Sequence, residues 1–353
     1  MSGVPDKSVA LLLQRMSELQ GNWLVVADEN WHGANWSSIN ISTANSTVVF
    51  SNRFDIANAA EKAGLDCTFN DFDFSALQPQ SFDGLLYRVS KERATSHHII
   101  NQASALLKPN ATLLLGGEKN DGIKTYVKQA GQLFGNPVNA EKHGKAYMAS
   151  IQTYQLGGDP LNDKQYAQLR PLQLNDNLSL QSKPGIFGWD KIDRGSAFLV
   201  DHLPEFLNRY PKAPRSLLDL GCGYGYLAYS ASQCGFERIV ATDNNAAALL
   251  SATQNLSSLR DIQCTVVAAD AGDQVSAQFD TVLCNPPFHR GFAVDSDLSA
   301  RFLKNTQRLL KPSGRALFVV NTFIPLEQNA KPYFNSIEVL ANNGAFKLIA
   351  LKK

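Results

Sequence analysis

The chain has 353 residues, 44% hydrophobic and 18% charged, the make-up of a soluble globular protein long enough for two domains with separate cores. Its formal net charge is +1, so charge alone gives no support to a nucleic-acid partner, although a basic patch on one face would escape that count. No apolar run reaches bilayer length, and five scattered cysteines without a CxxC pair argue against a zinc site or a disulfide framework and for reduced thiols in the cytoplasm.

The opening "MSGVPDKSVALLLQRMSELQ" spaces polar residues among apolar ones, which predicts an amphipathic helix and not a signal peptide. "NWLVVADEN" follows as an apolar strand ending on acidic residues, then strand "STVVFSN", helix "FDIANAAEKAG" and strand "DCTFND". "SFDGLLYRVSK", a helix, and "LLKPNATLLLGG" complete the first half. The stretch "LGGDPLNDKQYAQLRPLQLNDNLSLQSKPG" is rich in Gly, Asn, Asp and Pro and reads as a link.

The second half alternates again. Strand "RSLLDLG" leads to helix "YLAYSASQCG", strand "RIVATD", helix "NNAAALLSATQNL", then strands "CTVVAAD" and "DTVLCNPP". A helix over about 298–310 and strand "GRALFVVN" follow, and "IEVLANNG" and "FKLIALKK" predict an antiparallel edge hairpin. The pattern is α/β, a doubly wound parallel sheet.

"SFDGLLYRVSK", helix, "LLKPNATLLLGG" stands against "QFDTVLCNPPF", helix, "LLKPSGRALFVV". The same words in the same order indicate duplication of one Rossmann-like domain, although any two α/β domains could share such turns. We place the N-terminal copy at 1–155, the link at 156–182 and the second copy at 183–353. The first copy has Tyr87-Arg88-Val89-Ser90 where the second has Asn-Pro-Pro-Phe, and "ENWHGANW" where the second has a glycine loop. It is a degenerate frame without a site.

In "LLDLGCGYGYLA", Gly221, Gly223 and Gly225 follow a strand and open a helix, where glycines let backbone approach a ligand. The spacing GxGxG lacks the third glycine of the dinucleotide fingerprint, which disfavours a nicotinamide dehydrogenase. Asp243 ends the second strand, where a carboxylate can accept both hydroxyls of a ribose. Asp270 ends the third, where it could accept from an adenine amine. Either aspartate alone reads equally as a helix N-cap. The ordered set of glycine loop, Asp243, Asp270 and Asn285-Pro286-Pro287-Phe288 is more specific.

That set resembles the class I S-adenosylmethionine-dependent methyltransferases, and Asn-Pro-Pro-Phe is similar to the motif of those that methylate a planar amine. The resemblance implies that Gly221, Gly223 and Gly225 line the cofactor, that Asp243 holds its ribose and Asp270 its adenine, and that Asp219 orders the loop. An amine on an aromatic ring is a poor nucleophile because its lone pair is delocalised. Two acceptors on its hydrogens, the Asn285 side-chain carbonyl and the Pro286 backbone carbonyl, would favour a pyramidal nitrogen. Asn285 thus borders cofactor and substrate alike. Phe288 offers a stacking face for a base. His289 could accept the released proton, or be a solvent-facing loop histidine.

The motif is shared by enzymes acting on adenine N6, cytosine N4, guanine N2 and the glutamine of release factors. A degenerate copy before an active one, joined through "KPGIFGWDKIDRGSAFLVDHLP", resembles the ribosomal RNA guanine-N2 methyltransferases. There, a segment like Pro184 to Phe187, then Asp193 and Gly195, lies near the cofactor. Gly188 departs from the serine frequent in the family. "NPPFHRG" and "NTFIP" are closer to the small-subunit (16S) branch than to the 23S branch. The resemblance implies S-adenosylmethionine as cofactor, 16S ribosomal RNA of the small subunit as partner, no membrane or metal, and a cytoplasmic monomer. Rivals are a 23S enzyme, a protein-glutamine methyltransferase and a non-catalytic RNA-binding assembly factor. The first copy either binds RNA, with Lys91, Arg93 and Lys108 as candidate phosphate contacts, or only covers an apolar face.

Overall fold

Alternating apolar strands and helices fold into two seven-stranded sheets of identical strand order. The computed structural model describes residues 6–39, 45–154, 157–175, 178–287, 289–290, 293–294 and 296–353. Two units result, Met1–Gln168 and Leu169–Lys353.

The N-terminal unit runs α1 (Lys7–Ser17), β1 (Gly21–Ala27), β2 (Asn45–Ser51), α2 (Phe54–Lys62), β3 (Asp66–Phe69), β4 (Phe82–Arg88), α3 (Arg93–Leu106), β5 (Leu107–Glu118), α4 (Ile123–Leu133), β6 (Glu141–His143) and β7 (Ala146–Gln152). The amphipathic opening is α1. Asp6 caps it, accepting from the Ser8 and Val9 N–H groups, and Val9, Leu12, Leu13 and Met16 form its buried face. The sheet order is β3-β2-β1-β4-β5-β7-β6. Leu24 and Val26 face one core, Val25 and Ala27 the other. Burial on both faces explains the uninterrupted apolar runs.

The C-terminal unit begins with a hairpin, β8 (Arg170–Asn175) and β9 (Leu178–Ser182), inside the segment read as a link. Then come α5 (Arg194–Asp201), α6 (Leu203–Leu207), β10 (Ser216–Leu220), α7 (Tyr226–Ala231), β11 (Arg238–Asp243), α8 (Ala246–Leu256), β12 (Gln263–Ala268) and β13 (Phe279–Cys284). A two-residue pair follows, β14 (His289–Arg290) with β15 (Ala293–Val294). The chain ends with α9 (Ser296–Leu309), β16 (Leu310–Asn321), α10 (Leu326–Ala330), β17 (Ser336–Asn342) and β18 (Phe346–Lys352). The order is β12-β11-β10-β13-β16-β18-β17, with the last two strands antiparallel at the edge as expected.

The repeated words have one physical basis. In Phe-Asp, the Asp83 carboxylate accepts the Asn22 N–H at 2.8 Å and pairs with Lys108 of Leu-Leu-Lys-Pro at 2.7 Å. Asp280 accepts the Ser216 N–H at 2.9 Å and pairs with Lys311 at 2.9 Å. Each carboxylate ties the start of the first strand to the helix-to-strand turn. β5 and β16 also share one burial pattern along all 12 residues. Duplication of one Rossmann-like domain accounts for both. Lys108, a candidate phosphate contact by sequence, is therefore held by Asp83.

Candidate active site

β10, β11 and β13 are parallel neighbours, so their carboxyl ends open together at one edge of the sheet. After β10 the chain turns through Gly221, Gly223 and Gly225 at φ of +79°, +54° and +86°, the left-handed region where a side chain is strained. The Gly221 and Cys222 N–H groups both donate to the Thr242 carbonyl, at 2.9 and 2.8 Å.

Asp243, at the end of β11, spans loop and helix. Its Oδ2 accepts the Gly223 N–H and its Oδ1 the Asn245 N–H, both at 2.9 Å. The N-cap of α8 is Asn245, whose side chain accepts from Ala247. The N-cap alternative for Asp243 thus falls to its neighbour. The Asn245 Nδ2 also donates to the Gly185 carbonyl at 2.7 Å, drawing the Pro184–Phe187 turn to the loop.

Asp219 lies in β10, completely buried. Its Oδ2 accepts the Ala228 N–H at 2.9 Å, while Oδ1 has no hydrogen-bond partner among the described residues. Burial pushes this carboxyl up to about 7. β12 stops at Ala268, so Asp270 stands in the turn beyond it, not at the strand end as expected. Its N–H donates to Asp273, and its carboxylate pairs with Arg301 of α9.

Asn285 follows β13. Both hydrogens of its amide are engaged: Nδ2 donates to Asp193 Oδ1 at 2.7 Å and to Ser196 Oγ at 2.8 Å. Pro286 is buried and Pro287 exposed. Phe288 lies outside the described residues, and so does the side chain of His289. Asp193 is the N-cap of α5, with Oδ1 also accepting the Ser196 N–H at 2.8 Å. A Cβ on Gly195 would come within 3.1 Å of that same oxygen. Tyr224 of the glycine loop is buried.

On the incoming segment, Ile186 is buried against Tyr224 and Ala247, whereas Phe187 is 87% exposed. Lys183 is fully buried, and desolvation pushes its amine down to about 7. Sequence reading missed Ser196, Asn245 and Arg301. Asn245 had a local signal, a capping residue directly before an apolar helix. Ser196 and Arg301 had none, since their partners lie 89 and 31 residues away.

The same sheet edge of the N-terminal unit is filled. Arg88 stands six residues after Phe82, as Asn285 stands six after Phe279. Its guanidinium is buried and pairs with Asp6 and Asp121, each at 2.8 Å, and donates to the Val89 carbonyl. The carboxyl of the buried Asp28 is pushed up to about 7, mainly by burial. Trp31 stacks on Trp36 where the other unit has its glycine loop. Among the described residues, no helix is long and apolar enough to cross a membrane, and no group of His, Cys, Asp and Glu could hold a metal.

Residues 10–155 match the Methyltransferase small domain N-terminal family, and residues 177–350 match the Methyltransferase small domain. Over 307 residues the chain is 27% identical to the Ribosomal RNA small subunit methyltransferase C of Shewanella loihica, covering 86% of this chain and 85% of that protein. The Actinobacillus succinogenes protein of the same name is 28% identical over 87% of this chain and 88% of its own length. The fold is that of a T. thermophilus 16S rRNA N2 methyltransferase (RsmC) solved in complex with AdoMet and guanosine. That likeness has TM-score 0.85 at 23% identity, over 99% of this chain and 93% of that one. With both modules matched in order, the chain belongs to the methyltransferase small domain family of S-adenosylmethionine-dependent enzymes.

Proposed function

We propose that the chain methylates the exocyclic N2 amine of a guanine in 16S ribosomal RNA, taking the methyl group from S-adenosylmethionine. The state of Asn285 carries this reading. Both of its amide hydrogens are engaged inside the protein, so the polar atom it offers is its carbonyl oxygen. An acceptor, not a donor, is what an amine substrate requires.

Asn285 and the Pro286 carbonyl accept the two amine hydrogens, which localises the nitrogen lone pair for attack. Phe288 stacks on the guanine and fixes its plane. S-adenosylmethionine, when bound, supplies a methyl group on a positively charged sulfur. Asp219, Gly221, Gly223, Gly225, Asp243 and Asp270 form its cradle, with Asn285 and Phe187 at its margin. Two observations favour that fit: the buried Asp219 Oδ1 has no hydrogen-bond partner among the described residues, and Asp243 links glycine loop and α8. Asp243 holds the ribose. Asp270 shares its carboxylate between Arg301 and the adenine amine. The proton leaves the nitrogen once it is alkylated, so no strong base is needed.

The catalytic domain is 183–353, joined through 156–182 to a supporting domain, 1–155, that contacts RNA through the exposed Lys91 and Arg93. The enzyme acts as a cytoplasmic monomer. Relatives named as small-subunit methyltransferases support the choice of 16S RNA. The test is transfer of labelled methyl from S-adenosylmethionine to small and large subunits and to their naked RNAs, with nucleoside analysis. N2-methylguanosine in 16S RNA is expected. Label confined to 23S RNA, to release factor or to nothing overturns the assignment.

A further inference from the structure

The carbonyl of an asparagine and its amino group are nearly the same size, and a half-turn about the last bond exchanges them. An Asn285 that presented its NH2 to the substrate would oppose an amine with a donor. Something must hold the amide in one sense. We infer that Asp193 and Ser196 are positioning residues that do this. This inference rests on the role of Asn285 as the amine acceptor.

Both contacts lie on the Nδ2 side. The Asp193 oxygen, 2.7 Å away, belongs to a carboxylate, which can only accept. The Ser196 hydroxyl oxygen takes the second hydrogen at 2.8 Å. Turning the amide over would set the Asn285 carbonyl against a carboxylate and strand two hydrogens. The clamp is built from one helix start. Asp193 and Ser196 are the N-cap and N3 positions of α5, already linked by the cap hydrogen bond at 2.8 Å. Gly195 between them has no side chain, and a Cβ there would crowd the oxygen that Asn285 reaches.

The substitutions that test this keep the helix. Asp193→Ser retains a good N-cap but is too short to reach Asn285. Ser196→Ala removes one acceptor inside an intact first turn. With full-length enzyme and small subunits, kcat of Asp193→Ser should fall about a hundredfold and that of Ser196→Ala about tenfold. Ser196→Thr, which keeps the hydroxyl, should restore most of the rate. Affinity for S-adenosylmethionine by calorimetry and melting temperature should stay near wild type in all three. Wild-type kcat in Asp193→Ser overturns the inference. So does a rate loss matched by lost cofactor affinity or lost fold, since that is the mark of a structural cap. Wild-type enzyme that methylates no guanine would instead remove the underlying function, an outcome read from the unmodified protein alone.

Discussion

The Asp243 carboxylate receives the Gly223 N–H on one oxygen and the Asn245 N–H on the other, each at 2.9 Å. One side chain thus sets the glycine loop against the start of α8. Removing it in Asp243→Ala leaves two backbone donors without acceptors and takes away the proposed ribose contact. Hydrogen bonds to a charged group are worth about 1.5–3 kcal/mol. Calorimetry should show S-adenosylmethionine binding weakened by at least tenfold, and an unchanged affinity would remove Asp243 from the cofactor site.

Asn285→Ala removes the acceptor for the substrate amine and leaves the loop, Asp219 and Asp243 in place. Methyl transfer should fall by about 10²–10³, the range for loss of one preorganised polar group. Cofactor affinity should change by less than about threefold, no more than the low end of one hydrogen bond. A parallel collapse of cofactor binding would show that Asn285 serves the cofactor instead.

Asp219 gives a pH dependence with a definite sign. Burial raises its folded-state carboxyl from the usual 3.8 to about 7. The folded protein therefore holds a proton that the unfolded chain releases. The stability linked to it is complete below about pH 4 and is lost as pH rises through about 7. The difference in melting temperature between wild type and Asp219→Asn should shift against wild type from pH 5 to pH 8. A constant difference across that range would mean that Asp219 does not titrate there.

Arg88 pairs with Asp6 and Asp121 in the N-terminal unit. Arg88→Met leaves these carboxylates without their guanidinium, and breaking a buried pair in this way costs about 3–5 kcal/mol. Three of the four tryptophans, Trp23, Trp31 and Trp36, lie in that unit, so urea unfolding followed by fluorescence reports it directly. The midpoint should drop clearly, and a wild-type midpoint would make the network ornamental.

Gly84 lies under Trp23 on the neighbouring strand, and an added Cβ would sit 2.3 Å from the ring. Gly84→Ala forces the indole or the strand to move, at about 1–3 kcal/mol. Differential scanning calorimetry should record a lower melting temperature.

Much of this was legible because it is local. Apolar runs and punctuating glycines give the strands, and Asn285-Pro286-Pro287 marks the end of β13 by itself. Repeated Phe-Asp and Leu-Leu-Lys-Pro indicated duplication before the ion pairs Asp83–Lys108 and Asp280–Lys311 gave the reason. The clamp on Asn285 was not legible. Asp193 lies 92 residues earlier, and nothing in "KIDRGSAF" says which distant amide it will meet. The hairpin β8–β9 was hidden too, since its polar and proline-containing strands imitate a linker. Asp270 and Arg301 were each visible as charges, but only the packing of α9 makes them a pair.

The guanidinium at position 88 also fixes the history open to this protein. Restoring an asparagine there would expose Asp6 and Asp121 to each other's charge before any chemistry returned. That step back toward a working first copy therefore begins downhill in stability. While these ion pairs fill that end of the sheet, the first copy cannot take up the second copy's role by one substitution.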